Sequence, residues 1–178
     1  MYKIFFKRIF DIFFVISTSP IWLSIFLITL LILFFINHKP IFYIGKRVGQ
    51  FNKEFKILKF RSLDGGGTEK TGDTVSQNDN RLSKVGFFLR KFKIDEIPQF
   101  LQVLLGQMSI VGPRPELPVY VDKVFYKKNK IYLLKPGLTD YSSIEFIDLQ
   151  KIVPKKNTNT FFEKNILRKK NLLKAKYA

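Results

Sequence analysis

The longest apolar segment of the chain lies near its amino terminus. From Ile12 to Ile36 no residue is charged, and Ile, Leu and Phe dominate the run. At about 1.5 Å per residue, a helix of this length can cross a bilayer. A cleaved signal peptide is not expected, because the run is too long and no Ala-x-Ala pattern follows it. The pattern therefore predicts a membrane anchor over residues 1–38.

Ser19 and Pro20 interrupt this run and predict a bend. A proline inside a helix removes a backbone hydrogen bond at a cost of about 3 kcal/mol, and nearby hydroxyl groups can bond the carbonyls so freed. Two topologies stay open: one straight transmembrane helix, or a re-entrant helix that bends at Ser19-Pro20 and leaves by the face it entered. Trp22 is expected to face lipid or to pack at the bend. Basic residues flank the run on both sides: Lys3, Lys7 and Arg8, then Lys39, Lys46 and Arg47. By the positive-inside rule, both ends are therefore expected on the cytoplasmic side.

Residues 39–178 are predicted to form one soluble domain, which starts with a β-hairpin. Ile41 to Tyr43 and Phe55 to Phe60 have the pattern of short strands, and Gly49 to Asn52 has the composition of the turn between them. The segment from Leu63 to Asn80 is polar and glycine-rich, which is typical of a surface loop. No Gly-Lys-Ser/Thr follows its three glycines, so a phosphate-binding P-loop is not expected.

Helical spacing dominates the rest of the chain, so an α+β fold that is mainly helical is predicted. Arg81 to Lys91 has the pattern of an amphipathic helix. The next helix is predicted to begin at Asp95 and Glu96, with Pro98 in its first turn and Gly106 at its carboxyl-terminal cap. Two later segments mix basic and apolar residues, as interfacial helices on anionic lipid or solvated helices on a soluble core both do. They are the stretch from Pro118 to Lys135 and the tail from Phe161 to Tyr177.

Composition adds a strong positive charge to this apolar pattern. The chain holds 20 Phe, and 31 Lys and Arg against 14 Asp and Glu give a formal charge of +17. Such a chain is expected to bind anionic lipid headgroups or phosphate-bearing substrates before nucleic acid, because its aromatic residues are concentrated in the apolar run. The absence of cysteine excludes disulfides, thiolate zinc sites and cysteine nucleophiles. A polybasic membrane-bound adaptor stays open as an alternative to an enzyme.

Asp95 and Glu96 are the candidates for chemistry. A pair of acids at a helix start is ordinarily explained by the helix dipole. Here Arg90 precedes the pair and Arg114, between two prolines, follows it within one helix length. Arginine side chains and a divalent cation such as Mg²⁺ neutralise phosphate charge, and Asp and Glu oxygens are ligands that Mg²⁺ takes. The pattern therefore favours phosphoryl-group chemistry.

Five motifs in this order resemble the bacterial sugar transferase family, the monotopic phosphoglycosyl transferases. Together with Ser19-Pro20 they cover nearly all of the chain. They are Lys59-Phe60-Arg61-Ser62, Leu89-Arg90-Lys91, Asp95-Glu96-Ile97-Pro98-Gln99, the run from Met108 to Glu116, and Lys135-Pro136-Gly137-Leu138-Thr139.

The resemblance implies a re-entrant membrane helix, interfacial amphipathic helices and a small catalytic body on the cytoplasmic face of a bacterial inner membrane. It also implies transfer of a sugar-1-phosphate from a UDP-sugar to polyprenol (undecaprenyl) phosphate with release of UMP. In this reaction Asp95 attacks the β-phosphorus and carries the phosphosugar, while Glu96 assists and helps Asp95 hold Mg²⁺. By the same match, five basic residues would bind the donor: Lys59, Arg61, Arg81, Arg90 and Arg114.

Two positions depart from the family pattern. Gln107 stands where family members commonly carry an acid, and Asp140 stands where they commonly continue Thr139 with glycine. The second departure lies in a region expected to shape the sugar pocket. No sugar identity is therefore inferred from the resemblance.

Overall fold

The computed structural model describes residues 2–36, 39–63, 82–146 and 163–175. These residues form an α+β fold that is mainly helical, as the sequence predicts. The helices are α1 (Tyr2–Ser17), α2 (Ser19–Phe35), α3 (Lys84–Lys91), α4 (Gln99–Leu104), α5 (Lys123–Lys128), α6 (Tyr141–Glu145) and α7 (Arg168–Ala175). The strands are β1 (Phe42–Val48), β2 (Glu54–Phe60), β3 (Ser109–Val111) and β4 (Gly137–Thr139).

The amino-terminal apolar segment is bent where the sequence predicts a bend. Helix α1 ends at Ser17, α2 begins at Ser19 with Pro20 in its first turn, and the two axes differ by 60°. The Thr18 hydroxyl donates to the Phe14 carbonyl at 2.7 Å, which satisfies a carbonyl group at the break. Among the described residues no single helix is long and apolar enough to cross a membrane, whereas the bent pair together is.

Trp22 closes this bend and joins it to the rest of the molecule. Its indole N–H donates to the Val15 carbonyl at 2.9 Å, and its ring stacks on Phe100 with 5.5 Å between ring centroids. Of the two expectations for Trp22, packing at the bend is therefore the one observed. The hydrophobic core around it contains residues from α1, β2, α4 and β3 and from the segments just before α4 and β3: Val15, Ile57, Ile97, Val103, Met108 and Ile110.

Helix α1 also contacts the body through polar groups. The Arg8 guanidinium donates to the Val103 and Leu104 carbonyls, which lie at the end of α4. The Asp11 carboxylate accepts the Ile110 N–H at 3.0 Å. The domain boundary at residue 38 stays a prediction. The segments on the two sides of this boundary pack in one hydrophobic core.

The β-hairpin is confirmed, with a first strand longer than predicted. Strands β1 and β2 are antiparallel, in a register that runs from Phe42 opposite Phe60 to Val48 opposite Glu54. Gln102 of α4 lies against β2, where its amide oxygen accepts the Leu58 N–H at 2.8 Å. This contact satisfies a strand N–H and fixes α4, and hence the turn before it, against β2.

Asp95 and Glu96 lie in a 3₁₀ turn, Ile94–Glu96, and the prediction that they begin the α-helix is wrong. Helix α4 begins at Gln99. Because Pro98 has no N–H, it cannot donate the bond that an α-helix needs at this point, and the backbone makes shorter i to i+3 bonds instead. Examples are Ile97 N to Ile94 O at 3.2 Å and Phe100 N to Ile97 O at 3.0 Å.

Helix α3 approaches the end of β2 closely at Gly86. The helix starts at Lys84, later than the predicted Arg81, because Ser83 caps it by accepting the Gly86 N–H at 3.0 Å. A Cβ atom on Gly86 would lie 1.9 Å from the Ser62 carbonyl oxygen, so only glycine permits this contact. The approach places the first turn of α3 beside Ser62, just beyond the end of β2.

We expect Gly86→Ala to destabilise the protein by about 3 kcal/mol, because α3 must move away from the Ser62 backbone. Thermal unfolding in detergent measures the effect. Gly45→Ala is the matched control: a Cβ there would meet the Tyr43 hydroxyl at 2.5 Å, which is the end of a side chain and can rotate. Equal losses of stability in the two variants would contradict the proposed role of Gly86.

Candidate active site

The acid pair lies at the junction of β2, α3 and the loop that follows β3. Both acids are buried, with 5% of Asp95 and 7% of Glu96 exposed. Buried carboxylates are stable only when hydrogen bonds or opposite charges compensate the lost hydration. The two acids are compensated very differently.

Glu96 is held by two cations. The Lys59 ammonium, carried by β2, lies 3.0 Å from Glu96 Oε1. The Arg114 guanidinium donates from Nη1 to Oε2 at 3.2 Å and from Nη2 to Oε1, which makes a bidentate ion pair. Burial raises the pKa of Glu96, but Arg114 and Lys59 outweigh it and hold this pKa well below its ordinary value. Glu96 is therefore an ionised residue with both oxygens engaged.

Asp95, in contrast, has a free acceptor. Its Oδ1 atom is buried and has no hydrogen-bond partner among the described residues. Burial raises the pKa of the Asp95 carboxyl, and the nearby Lys59, Arg90 and Lys93 offset only part of that rise. The result is a poorly solvated carboxylate in a cationic environment, which is the state expected of a nucleophile or a metal ligand.

Arg114 is positioned by strand pairing and by Asp140. Strands β3 and β4 are parallel, with Ser109 opposite Gly137 and Val111 opposite Thr139, and Arg114 lies just beyond β3. The Arg114 N–H donates to Asp140 Oδ2 at 2.8 Å. The charge of Glu96 raises the pKa of Arg114 despite burial, so the guanidinium stays protonated.

Asp140 is a site residue whose role the sequence pattern does not indicate. Besides Arg114, it accepts the Ser143 N–H at 2.6 Å and the Ser142 hydroxyl at 2.8 Å, and it caps α6. Burial raises the pKa of Asp140. Hydrogen bonds from the backbone N–H of Arg114 and from the Ser143 and Ser142 hydroxyls lower this pKa by more than burial raises it, so the pKa lies below its ordinary value. An Asp two and three residues before serines is a recognisable capping signal, but its tie to Arg114 depends on strand pairing.

The remaining predicted basic residues lie in different settings. Arg90 is half-buried in the last turn of α3, and its charge acts on Asp95. Arg61 follows β2, and its Nε donates to the Leu63 carbonyl at 3.1 Å. Arg81 lies outside the described residues. The structure thus brings Lys59, Arg90 and Arg114 around the acids, and binding roles for all five basic residues stay predictions.

A further buried polar side chain, Gln99, follows the acid pair in the same motif. Gln99, one helical turn after Asp95, is 1% exposed, and its Nε2 has no hydrogen-bond partner among the described residues. Gln107, at one of the two positions where a departure from the family pattern is expected, accepts a hydrogen bond from Gln102 at 2.9 Å. The sequence pattern indicates no role for Gln99, although this residue lies in the same motif as the acids.

A divalent cation fits this site through Asp95. Mg²⁺ in phosphate-binding sites is held by one or two carboxylates together with substrate phosphates. Asp95 Oδ1 is available for this, whereas both oxygens of Glu96 accept hydrogen bonds from cations. Within the described ranges, no group of three or more His, Cys, Asp or Glu is placed to hold a metal ion. Metal binding by Asp95 and Glu96 stays a prediction.

Comparison with known proteins identifies relatives of this chain. The profile of the bacterial sugar transferase family matches residues 2–167. A UDP-N-acetylgalactosamine-undecaprenyl-phosphate N-acetylgalactosaminephosphotransferase of Aeromonas hydrophila is 33% identical over 144 residues, which are 79% of this chain. A UDP-glucose:undecaprenyl-phosphate glucose-1-phosphate transferase of Escherichia coli (strain K12) is 39% identical over 109 residues, 59% of this chain. The exopolysaccharide production protein ExoY of Rhizobium meliloti (strain 1021) is 33% identical over 153 residues, 75% of this chain.

These relatives differ in length from the chain. The matched region is 34% of the Aeromonas protein, 23% of the Escherichia protein and 66% of the Rhizobium protein. The family profile, in contrast, extends over almost the whole chain, from α1 through the acid pair, the Arg114 region and β4. This chain therefore belongs to the bacterial sugar transferase family.

Proposed function

We propose that this protein transfers a sugar-1-phosphate from a UDP-sugar to polyprenol (undecaprenyl) phosphate and releases UMP, as a step that initiates cell-surface glycan assembly. The observation that carries the proposal is the asymmetry of the acid pair. Glu96 is fully engaged by Lys59 and Arg114, whereas Asp95 keeps a buried oxygen without a partner among the described residues. The printed names of the Aeromonas and Escherichia relatives support the same class of reaction.

In the first step, Asp95 acts as the nucleophile. A carboxylate oxygen of Asp95 bonds to the β-phosphorus of the UDP-sugar, and the bond from that phosphorus to the bridging oxygen breaks. UMP leaves with that oxygen and its electron pair, and the phosphosugar stays on Asp95 as an acyl phosphate. In the second step, a phosphate oxygen of the polyprenol phosphate attacks the same phosphorus. The Asp95 carboxylate is released, and the product is a polyprenol diphosphate sugar.

Basic side chains supply the electrostatic stabilisation that this step needs. Phosphoryl transfer depends on neutralising charge on the phosphate oxygens, and arginine does so with paired N–H groups. Arg114 and Lys59 contact Glu96, the residue that follows the nucleophile Asp95 in the chain. We assign phosphate contacts to them and to Arg90, and further donor contacts to Arg61 and Arg81.

Mg²⁺ is the proposed cofactor. Bound at Asp95, with Glu96 contributing negative charge nearby, it would neutralise the donor's diphosphate and improve UMP as a leaving group. Asp95 has the available oxygen for this role. The described residues otherwise bind, orient and neutralise the donor themselves.

The bent helix pair suggests where the reaction takes place. Much of its surface is apolar and exposed, for example 69% of Phe13, 49% of Leu27 and 79% of Phe35. Contiguous apolar surface of this kind is a site for membrane or protein contact. We propose that α1 and α2 form a re-entrant anchor in a bacterial inner membrane, with anionic headgroups around its basic ends and the catalytic part on the cytoplasmic face.

Cysteine labelling tests this topology, and the native chain offers no competing thiol. A membrane-impermeant maleimide is expected to label Lys3→Cys and Lys46→Cys from the same side of sealed inner-membrane vesicles, because a re-entrant helix leaves by the face it enters. A cysteine in place of Phe13, in the middle of α1, is the control and is expected to be protected. Labelling of positions 3 and 46 from opposite sides would reject the re-entrant anchor.

UMP release tests the function itself. The purified chain is incubated with Mg²⁺, polyprenol phosphate and a panel of UDP-sugars, and UMP is measured by a coupled luminescence assay. At least one UDP-sugar is expected to give UMP together with a radiolabelled lipid product. Absence of UMP with every donor in the panel would exclude the proposed reaction and favour the polybasic adaptor.

A further inference from the structure

The carboxy-terminal helix α7 buries two lysine side chains. Lys170 is 6% exposed and Lys174 is 3% exposed, and they lie one helical turn apart on the same face. Lysine is rarely buried, because desolvating an ammonium group costs several kcal/mol unless a partner compensates it. Such a pair therefore indicates a specific partner within the fold.

That partner is Glu116, two residues beyond Arg114. Lys170 Nζ lies 2.7 Å and Lys174 Nζ 2.8 Å from the same oxygen, Glu116 Oε1. Lys174 also donates to the Tyr126 hydroxyl at 3.3 Å. Burial raises the pKa of Glu116, but the two lysines outweigh it and hold this pKa well below its ordinary value. The cluster is thus one carboxylate with two ammonium groups, all of them buried.

Glu116 also connects the cluster to the hairpin. Its backbone carbonyl accepts the Val48 N–H at 3.0 Å, at the end of β1. Residues 112–117, which we call the Arg114 loop, are consequently held at both ends. On the amino-terminal side Asp140 accepts the Arg114 N–H, and on the carboxyl-terminal side Glu116 is fixed by α7 and β1.

We propose that Glu116 is a positioning residue for Arg114, and that Lys170 and Lys174 of α7 hold it in place. The proposal rests on the function proposed above, because it assigns Arg114 to the phosphates of the UDP-sugar. With Pro113 and Pro115 on either side, the backbone around Arg114 has few ways to move except as a unit with Glu116. Loosening Glu116 therefore displaces the guanidinium from the donor, and small displacements of a positioning group reduce turnover strongly.

Lysine-to-methionine variants test the proposal, because methionine keeps the length of the side chain and removes its charge. The variants are Lys170→Met, Lys174→Met and the double variant, and the matched control is Lys169→Met, an exposed lysine on the same helix. Each single variant keeps one cation on Glu116, so the singles remain informative if the double variant does not fold.

Two measurements are made on each full-length variant. Hydrogen–deuterium exchange is followed at the Arg114 and Glu116 amides, and initial rates are followed with varied UDP-sugar and varied polyprenol phosphate. In the Lys170 and Lys174 variants we expect faster exchange at both amides and a fall of about tenfold in kcat/KM for the UDP-sugar. The value of kcat/KM for polyprenol phosphate is expected to stay within about twofold, since in a two-step mechanism it reports the second step. Lys169→Met is expected to match the native protein.

The outcomes separate this proposal from the proposed function. Unchanged exchange at the Arg114 loop overturns the proposal whatever the activity. Faster exchange with an unchanged kcat/KM for the UDP-sugar would show that the cluster has only a structural role. An equal fall of kcat/KM for both substrates would show the same, and either result overturns the proposal. A native chain without activity on any UDP-sugar rejects the function, and with it the role of Glu116 in donor binding, even where exchange shows that α7 orders the loop.

Discussion

Asp95→Asn is expected to reduce UMP release by at least about 10³-fold, the largest effect of any single substitution in this protein. The amide has the size of the carboxylate but cannot form an acyl phosphate, so both steps of the proposed mechanism are lost. UMP release in the absence and presence of polyprenol phosphate measures the effect. Glu145→Gln, an exposed acid on α6, is the matched control and is expected to retain native activity.

The same variant is expected to keep the fold. Asp95 Oδ1 makes no hydrogen bond with the described residues, so none is lost there on substitution. Because burial raises the pKa of Asp95, the ionised carboxylate destabilises the folded state at neutral pH, and the neutral amide removes this cost. The melting temperature of Asp95→Asn should therefore equal or exceed the native value. Undiminished UMP release, or loss of activity through unfolding, would contradict the role given to Asp95.

Arg114→Lys is expected to lower kcat/KM for the UDP-sugar by about 10²-fold. Lysine keeps the positive charge beside Glu96, but it cannot make the bidentate contact that Arg114 makes with both Glu96 oxygens. The same geometry is required to bind two phosphate oxygens at once. Steady-state rates with varied donor measure the loss, and Arg168→Lys, an exposed arginine on α7, is the control.

Arg114→Met provides the complementary measurement. Removing the guanidinium leaves buried Glu96 with Lys59 as its remaining cation among the contacts described, and breaking a buried ion pair in this way costs about 3–5 kcal/mol. Arg114→Met should therefore lose stability as well as activity, while Arg114→Lys should lose mainly activity. Native donor kinetics in Arg114→Lys would show that the paired N–H groups are not needed.

Local patterns in the sequence were sufficient for several features of the fold. Alternating residues in Phe55 to Phe60 predicted the second hairpin strand, and Ser19-Pro20 predicted the bend, because both depend on neighbours in the chain. The acid pair is recognisable for the same reason, because its two residues are adjacent and lie beside basic ones. The predicted start of the α-helix is wrong, since Pro98 shifts the backbone to 3₁₀ hydrogen bonds before Gln99.

Contacts between distant segments could not be predicted in this way. The parallel pairing of β3 with β4, which lets Asp140 reach the Arg114 N–H, joins strands about 28 residues apart. The pairing of Glu116 with Lys174 spans 58 positions. The pattern of the basic tail is compatible with an interfacial or a solvated helix, and the structure buries two of its lysines on Glu116. Opposite charges are common in any sequence, so spacing alone does not identify such pairs.

The most direct test of the central claim is to trap the phosphosugar on Asp95. The protein is incubated with Mg²⁺ and its UDP-sugar without polyprenol phosphate, quenched in acid, and digested for mass spectrometry. We expect UMP in an amount close to that of the enzyme, and one sugar phosphate added to the peptide that contains Asp95. Adding polyprenol phosphate before the quench should remove this adduct. UMP formation that requires polyprenol phosphate, or an adduct on any residue other than Asp95, would contradict the account.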